Sequence, residues 1–598
     1  MNRLVSLLAL VAGALTLAAC SAMPGRLAYS VPVQPEGASG YNEKPGWYNA
    51  RLSVAAANPL ATDAGYQVLK AGGSALDAAI AVQMVLTLVE PQSSGIGGGA
   101  FLMHFDGKAV EAYDGRESAP AAVDENLFMR PDGKPMAFIE AVVGGRSVGV
   151  PGVVRMLEMA HRQHGKLPWA DLFMPAIMLA EQGFRISPRL HTLLLADKHL
   201  KEDPVAAAYF YDASGQPWPV GHLLKNPDLA RVLREIAARG SIVLHEGPVA
   251  QAIVDKVGSH ISNPGRMTLA DLAAYQPRKR EALCHDHRAP QRKVYVFCGF
   301  PPPSSGAIAI GQILGILQNT PVAALAPGQD GLPAADWLHY YTEASRLAFA
   351  DRALFVADPD FVAAPAGSWM SLLSPTYLAQ RAQLITDTSM KLAKPGQPRG
   401  EQTSYAPMPD QPEYGTSHIS IVDAQGRAVA MTTTIESVFG ARQMVAGFLL
   451  NNELTDFSFT PRDSQGNPIA NRVQPGKRPR SSMSPTLVFD KESGRLVMSG
   501  GSPGGALIIH YTAKMLWGTL HWQMTPQQAI NLPNFGSTNG PTLLEQKRFP
   551  SATIDALRSR GHPIREIEMT SGLQAIQRVA NGYLGGADPR REGVVIGE

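Results

Sequence analysis

The chain has 598 residues, enough for about four domains or one large layered domain with insertions. Hydrophobic residues make up 45% and charged residues 17%, a globular balance rather than a disordered one. Lys plus Arg (53) nearly match Asp plus Glu (51) without a basic run, which argues against a nucleic-acid partner, and three cysteines exclude a disulfide framework or a four-thiolate zinc site.

Asn2-Arg3 gives a positive start, and Leu4 to Ala19 is an apolar run too short to span a bilayer comfortably. It ends Leu17-Ala18-Ala19-Cys20, which resembles a bacterial lipoprotein signal: small residues before a cysteine that is acylated and becomes the new N-terminus. The bland rival is a secretory signal with an incidental cysteine. The lipoprotein reading makes 1–19 a signal peptide, Cys20 the lipidation site, and the Pro-, Gly- and Ser-rich stretch 20–46 a tether. The body is then periplasmic and touches membrane only through its lipid anchor. Ser21, rather than Asp, after the cysteine favours the outer membrane.

The first folded element is a helix capped by Asn58, with Pro59 in its first position and Gly72-Gly73 as its stop. Ser74 and Asp77 form a capping-box pattern for a second helix running to Glu90, apolar nearly all round and therefore buried. A glycine-rich turn, Gly95 to Ala100, leads into a strand at Phe101 to Phe105. It matches the dinucleotide fingerprint on paper, but that fingerprint follows a strand and opens a helix, and this one does the reverse. It reads as a turn that lets backbones approach closely.

From about 150 to 400 the pattern is mostly helical, as at Leu167–Gln182, Pro227–Arg239 and Trp337–Leu354. Within it, Cys284 and Cys298 flank a strand-like stretch, Gln291 to Phe297, and in an oxidising compartment they suit a disulfide closing a hairpin. The rival, a metal site from Cys284, His285, Asp286 and His287, needs a sharp bend, because neighbours on an extended chain face opposite ways. Ala393 to Tyr414 reads as an exposed linker. Beyond it the texture turns to strands: His418–Val422 and Arg427–Thr434 joined by a turn, then Thr486–Phe489 and Leu496–Ser499, then an apolar helix from Ala506 to Leu516.

Gly500-Gly501-Ser502-Pro503-Gly504 has the spacing of a nucleophile elbow between a strand and a helix. The residue after the serine must donate an N–H there, and Pro503 has none. Gly504 and Gly505, before a helix N-terminus, read better as backbone donors to a developing oxyanion.

Thr416 opening a strand would say little alone. It stands, however, in an ordered set: Gly415-Thr416-Ser417-His418, Thr432 to Glu436, Asn451 to Ser458, Lys477 to Thr486, and Gly501 to Gly505. Upstream stand Pro91 to Gly99, Asp114 to Glu117, Pro301 to Gly306 and Glu343 to Arg352. Over about 47 to 595 the chain resembles the γ-glutamyltransferase (glutathione hydrolase) family of N-terminal-nucleophile hydrolases. The resemblance implies an α+β fold, the four-layer αββα sandwich, and self-cleavage between Gly415 and Thr416 into a large subunit, 47–415, and a small one, 416–598. The two cleaved chains would stay together as a heterodimer. It implies Thr416 as nucleophile, with its freed α-amine (reference pKa ~7.7–8.0) as base and no metal or other cofactor.

The substrates implied are glutathione and other γ-glutamyl compounds, with water, an amino acid or a peptide as acceptor. By resemblance Thr434 hydrogen-bonds the nucleophile; hairpin pairing alone leaves Thr433 and Thr434 open, depending on a bulge at Gly426. Arg116, with Ser481 and Ser482, would take the donor's α-carboxylate, while Glu436, Glu453 and Asp456 surround its ammonium. Some relatives carry Asn or Gln where this chain has Glu436 and Glu453. The segment between Asp456 and Ser481, which resembles the lid loop, has no Tyr or Trp after Phe459, where some relatives place an aromatic gate. Two alternatives stand beside this reading: an acylase of the same fold, or a non-catalytic solute-binding lipoprotein.

Overall fold

In the strand Ser417–Val422, Ile419 and Ile421 enter one hydrophobic core while Val422 enters another. Its hairpin partner, Ala428–Thr434, divides the same way: Val429 and Met431 to the first core, Ala428 and Ala430 to the second. A strand apolar on both faces is buried between two layers, and its period of two decides which layer each side chain meets.

The computed structural model describes residues 40–400, 403–412 and 415–598. The expected signal, Cys20 and nearly all of the tether lie outside the described residues. Among the described residues, two seven-stranded sheets stack face to face. The first runs in the order Val594–Gly597, Ser53–Ala56, Ser417–Val422, Ala428–Thr434, Gly99–Phe105, Val110–Asp114, Arg278–Arg280, every neighbour antiparallel. The second runs Trp47–Asn49, Gly582–Ala587, Gln574–Val579, Leu496–Gly501, Thr486–Asp490, Val294–Gly299, Leu283–Arg288, again antiparallel throughout. Phe101, Met103 and Ala430 meet Leu487, Leu496 and Ile576 between them.

Helices cover both outer faces. Pro59–Lys70 and Ala75–Val89 pack on the first sheet. Asn58 Oδ1 caps the former, and the Ser74–Asp77 capping box opens the latter, whose fifteen residues are all buried. Gly306–Leu317, Ala335–Phe355 and Ile508–Leu520 pack on the second sheet around Trp337 and Trp517. This is the αββα sandwich. No described helix is long and apolar enough to cross a membrane.

Cys284, on the edge strand Leu283–Arg288, is directly paired with Cys298 on its neighbour Val294–Gly299, and the two are bonded. His285 and His287 alternate with exposed Asp286, so the cluster does not converge. One expectation needs correction. The 393–414 stretch is not simply an exposed linker, because Ala393, Ala406 and Met408 are buried and Ala406 bridges Ile469. Gln411 Nε2 donates to Phe457 O at 3.0 Å. A chain with few apolar residues can still be held by them, one at a time.

Candidate active site

The hairpin register decides which threonine faces Thr416. Ser417 pairs with Thr433 and Val422 with Ala428, while Gly426 takes the left-handed position of the turn at φ +75°. One residue beyond the ladder, Thr416 therefore stands opposite Thr434. Both share the parity of Ser420, whose hydroxyl reaches Gln574 O of the other sheet, so both belong to the face between the sheets. Thr433 has the opposite parity and donates to Gly99 O at 3.3 Å.

The chain is uncut at Gly415-Thr416. The Thr416 hydroxyl lies against the Gly415 carbonyl oxygen, and Thr434 Oγ1 is 3.3 Å from that same oxygen. Thr434 Oγ1 already accepts from the Glu436 amide at 2.8 Å, which directs its own proton to Gly415. Gly415 has φ +45°, and a β-carbon there would fall 2.3 Å from Glu436 O. Glu436, at φ +71°, is a non-glycine residue in the left-handed region, a conformation that costs ~1–3 kcal/mol and gathers at functional sites.

One small cavity, enclosing about 10 Å³, is lined by Thr416, Thr434 and Gly505. Arg116, Glu436, Glu453, Asp456, Ser481 and Ser482 line it as well. Every expected catalytic and donor-binding residue except Gly504 meets there. Gly504 lines the adjoining cavity of about 720 Å³ together with Gly415.

The charges are arranged differently from the expectation that separated Arg116 from the acids. Arg116 is completely buried and ion-paired to Glu453 and, at 2.5 Å, to Asp456. Its other N–H groups reach Pro479 O at 3.1 Å and Arg480 O at 2.9 Å. Buried charges of opposite sign pair when they adjoin, so cation and acids close on one another in the uncut chain. Ser482 Oγ accepts from Arg352 at 2.6 Å, and Ser481 Oγ accepts from the Met483 amide at 3.1 Å. Glu436 accepts from Asn452.

Glu117, beside Arg116, was not expected to matter. It is fully buried, and neither carboxyl oxygen meets a donor among the described residues. Burial pushes its carboxyl up to about 8 against the pull of Arg116, and burial also raises Glu453 well above the carboxylate range. The two carboxyls adjoin, so a proton shared between them satisfies both. A second residue that the sequence reading passed over is Arg591, whose Nη1 donates to Thr416 O at 3.0 Å. The dense charge run Asp588-Pro589-Arg590-Arg591-Glu592 was its signal.

Gly504 and Gly505 have φ +131° and +57° and precede the helical segment that leads into Ile508–Leu520. Ser502 is committed elsewhere: its hydroxyl donates to Pro503 O at 2.8 Å and accepts from the Gly572 amide at 3.2 Å. In the lid, Phe459 stacks on Phe128 with ring centres 4.6 Å apart, away from the nucleophile and inside a satellite core. Among the described residues, two His/Glu clusters have metal-ligand potential, His104–Glu111–His164 and His339–Glu343–His562. Neither lines the Thr416 cavity, and in the second every ring nitrogen is hydrogen-bonded.

The comparisons agree with this geometry. The family model for gamma-glutamyltranspeptidase matches residues 61–598. The glutathione hydrolase proenzyme of Bacillus subtilis (strain 168) is 35% identical over 560 residues, covering 91% of each chain. The acylase ACY 1 proenzyme of Pseudomonas sp. (strain V22) is 33% identical and covers 93% of this chain and 95% of its own. The crystal structure of cephalosporin acylase from Bacillus halodurans superposes with a TM-score of 0.78 at 26% identity, over 95% of this chain and 99% of that one. Sequence, fold and the meeting of Thr416 with Thr434 thus place the chain in the gamma-glutamyltranspeptidase family.

Proposed function

We propose that the protein is a self-cleaving hydrolase and transferase of γ-glutamyl amides, glutathione among them. The observation that carries this is the grouping of Thr416, Thr434, Arg116 and three acids around one cavity. Maturation begins when Thr416 Oγ attacks the Gly415 carbonyl carbon, with Thr434 donating to the carbonyl oxygen as it gains charge. The C–N bond breaks, the amine of Thr416 takes a proton, and an ester joins Gly415 to Thr416 Oγ. Water then releases the Gly415 carboxylate.

The freed amine serves the second reaction as base beside the hydroxyl it activates. Thr416 Oγ attacks the donor's γ-carbonyl, the Gly504 and Gly505 amides meet the oxyanion, and the leaving amine takes the proton back. Water or an acceptor amine then resolves the γ-glutamyl ester. Glu436 and Asp456 against a single Arg116, with Glu453 drawn toward its neutral form by burial, favour a donor end that carries an ammonium as well as a carboxylate. A glutaryl donor has only the carboxylate and leaves the acids uncompensated. Rates on matched γ-glutamyl and glutaryl anilides test this: faster glutaryl release would move the protein to the acylases.

The lipoprotein reading is part of the same proposal, supported by the apolar run that stops at Cys20. It places the enzyme in the periplasm, lipid-anchored to the outer membrane. Cys20→Ser should shift the protein from the membrane to the soluble fraction.

A further inference from the structure

The cavity of about 720 Å³ beside Gly415 and Gly504 is also lined by Arg189 and Arg591. Arg591 is buried, and the bond to Thr416 O is the one hydrogen bond its side chain makes to the described residues; its Nε has no partner. Its side chain and the Pro503 ring both lie over Gly572, where a β-carbon would meet Arg591 Cδ at 2.8 Å and Pro503 Cγ at 2.5 Å. The arginine thus adjoins both the nucleophile's backbone and the turn that carries Gly504.

Arg189 Nε is also buried without a hydrogen-bond partner, and Glu90 stands 3.9 Å away. Glu592 faces the pair, its Oε1 accepting from the Arg189 amide at 3.1 Å and its Oε2 unpartnered. Burial and Glu90 push the Glu592 carboxyl up to about 7. Glu90 and Asp588 act on Arg591 as counter-charges, and Asp410, Glu568 and Arg590 line the same cavity, yet none of them bonds either free Nε. A buried guanidinium with one hydrogen bond is costly, and a second one nearby raises that cost. Burial and Arg189 together push the Arg591 group down to about 9. An anion between the two relieves both penalties.

The donor's acyl part belongs on the Arg116 side of Thr416, so the amine side of the reaction belongs in this second cavity. Its volume suits a small peptide. We propose that Arg189 and Arg591 form a carboxylate subsite for the amine component, holding the leaving amine in acylation and the acceptor amine in transfer. The class selected is amino acids and short peptides whose carboxylate lies one or two residues from the reacting amine. This rests on the reading of Thr416 as the acylated residue. The same carboxylate chemistry has a second source, the new C-terminus of Gly415 after self-cleavage, which lines the same cavity.

The test uses the mature enzyme with a γ-glutamyl anilide donor and two acceptors, glycylglycine and glycylglycine amide, which differ in the carboxylate alone. The wild type should prefer the acid. Arg189→Gln should raise the KM of the acid by about tenfold or more and move that of the amide little, so that the preference collapses. Arg189→Lys should restore part of it, and Arg591→Gln should lose it too if enough protein matures. A wild type without preference, or Arg189→Gln with the preference intact, overturns the subsite. Equal losses on both acceptors also overturn it and assign the arginines to the Gly415 carboxylate. A wild type that releases no anilide from the donor contradicts the parent reading and takes this one with it.

Discussion

Gly98 packs against the backbone of Thr434: a β-carbon at Gly98 would lie 2.0 Å from Thr434 O and 2.8 Å from Ile435 Cγ2. The glycine turn that resembles a dinucleotide motif is therefore the floor under the second threonine. Gly98→Ala must push the end of the strand Ala428–Thr434 away, and overpacking of this kind costs ~1–3 kcal/mol. The expected result is a folded, less stable protein that cuts itself slowly, read from a gel time course beside a thermal melt. Cutting at the wild-type rate would show that Thr434 tolerates the shift.

Self-cleavage should give a second fragment beginning at Thr416 and ending at Glu598, 598 − 415 = 183 residues. Thr416→Ala should remain one uncut, inactive chain, and intact mass settles both. The two pieces should stay associated in native buffer and part only in denaturant. In the first sheet Ser417–Val422 lies directly against Ser53–Ala56, and Ala428–Thr434 against Gly99–Phe105, so each piece completes the other's hydrogen bonds. Fragments that separate in native buffer would contradict the interleaved sheet.

Much of this arrangement was legible in the residues. Asn58, Ser74 and Asp77 announced two helices because capping is local chemistry, and Cys284 and Cys298 announced their hairpin because pairing needs few residues. The choice between Thr433 and Thr434 was open because it depends on one αL residue, Gly426, and a one-residue slip turns every side chain over. Glu117, Arg189 and Arg591 were passed over for another reason. Each acquires its meaning from burial, and a charged residue in a sequence reads as solvated surface until something is packed on it. The 393–414 stretch failed the same way in reverse, since its anchors are isolated apolar residues without period.

Arg116 anchors two acids as well as the donor's carboxylate. Arg116→Ala leaves Glu453 and Asp456 buried beside Glu117 without their cation, a type of loss that costs ~3–5 kcal/mol. It should therefore lower stability and weaken donor binding together. Arg116→Lys keeps the charge but loses the paired geometry, so its main effect should be a higher KM for glutathione. Kinetics of Arg116→Lys that match the wild type would remove Arg116 from the donor site.

Glu117 gives a pH dependence of stability whose sign can be worked out. Its carboxyl sits at about 8 in the folded chain, above the ordinary value of 4.5, so the folded state holds a proton that the unfolded chain has lost. Its contribution is complete below the unfolded value, shrinks as pH rises, and is gone above about 8. Glu117→Gln should flatten the decline in melting temperature across that window relative to the wild type. Parallel melting curves for the two proteins would show that Glu117 titrates normally.

Two glycines with positive φ at one helix entrance make the oxyanion site testable apart from maturation. Gly504 and Gly505 can present their amides because neither carries a β-carbon; at Gly504 one would meet Tyr511 Cε2 at 2.5 Å. Losing one preorganised donor typically costs ~2.7–4 kcal/mol in the transition state, or roughly 10²–10³ in turnover. Gly504→Val or Gly505→Val should therefore give a folded protein whose turnover falls by about that much. Self-cleavage should be affected far less, because its oxyanion forms on the Gly415 oxygen, which Thr434 meets from the opposite strand. Thr434→Val should reverse the pattern, slowing the cut while leaving the glycine amides in place. A Gly504 or Gly505 variant that is cut and still turns over at the wild-type rate would show that these glycines only shape the turn.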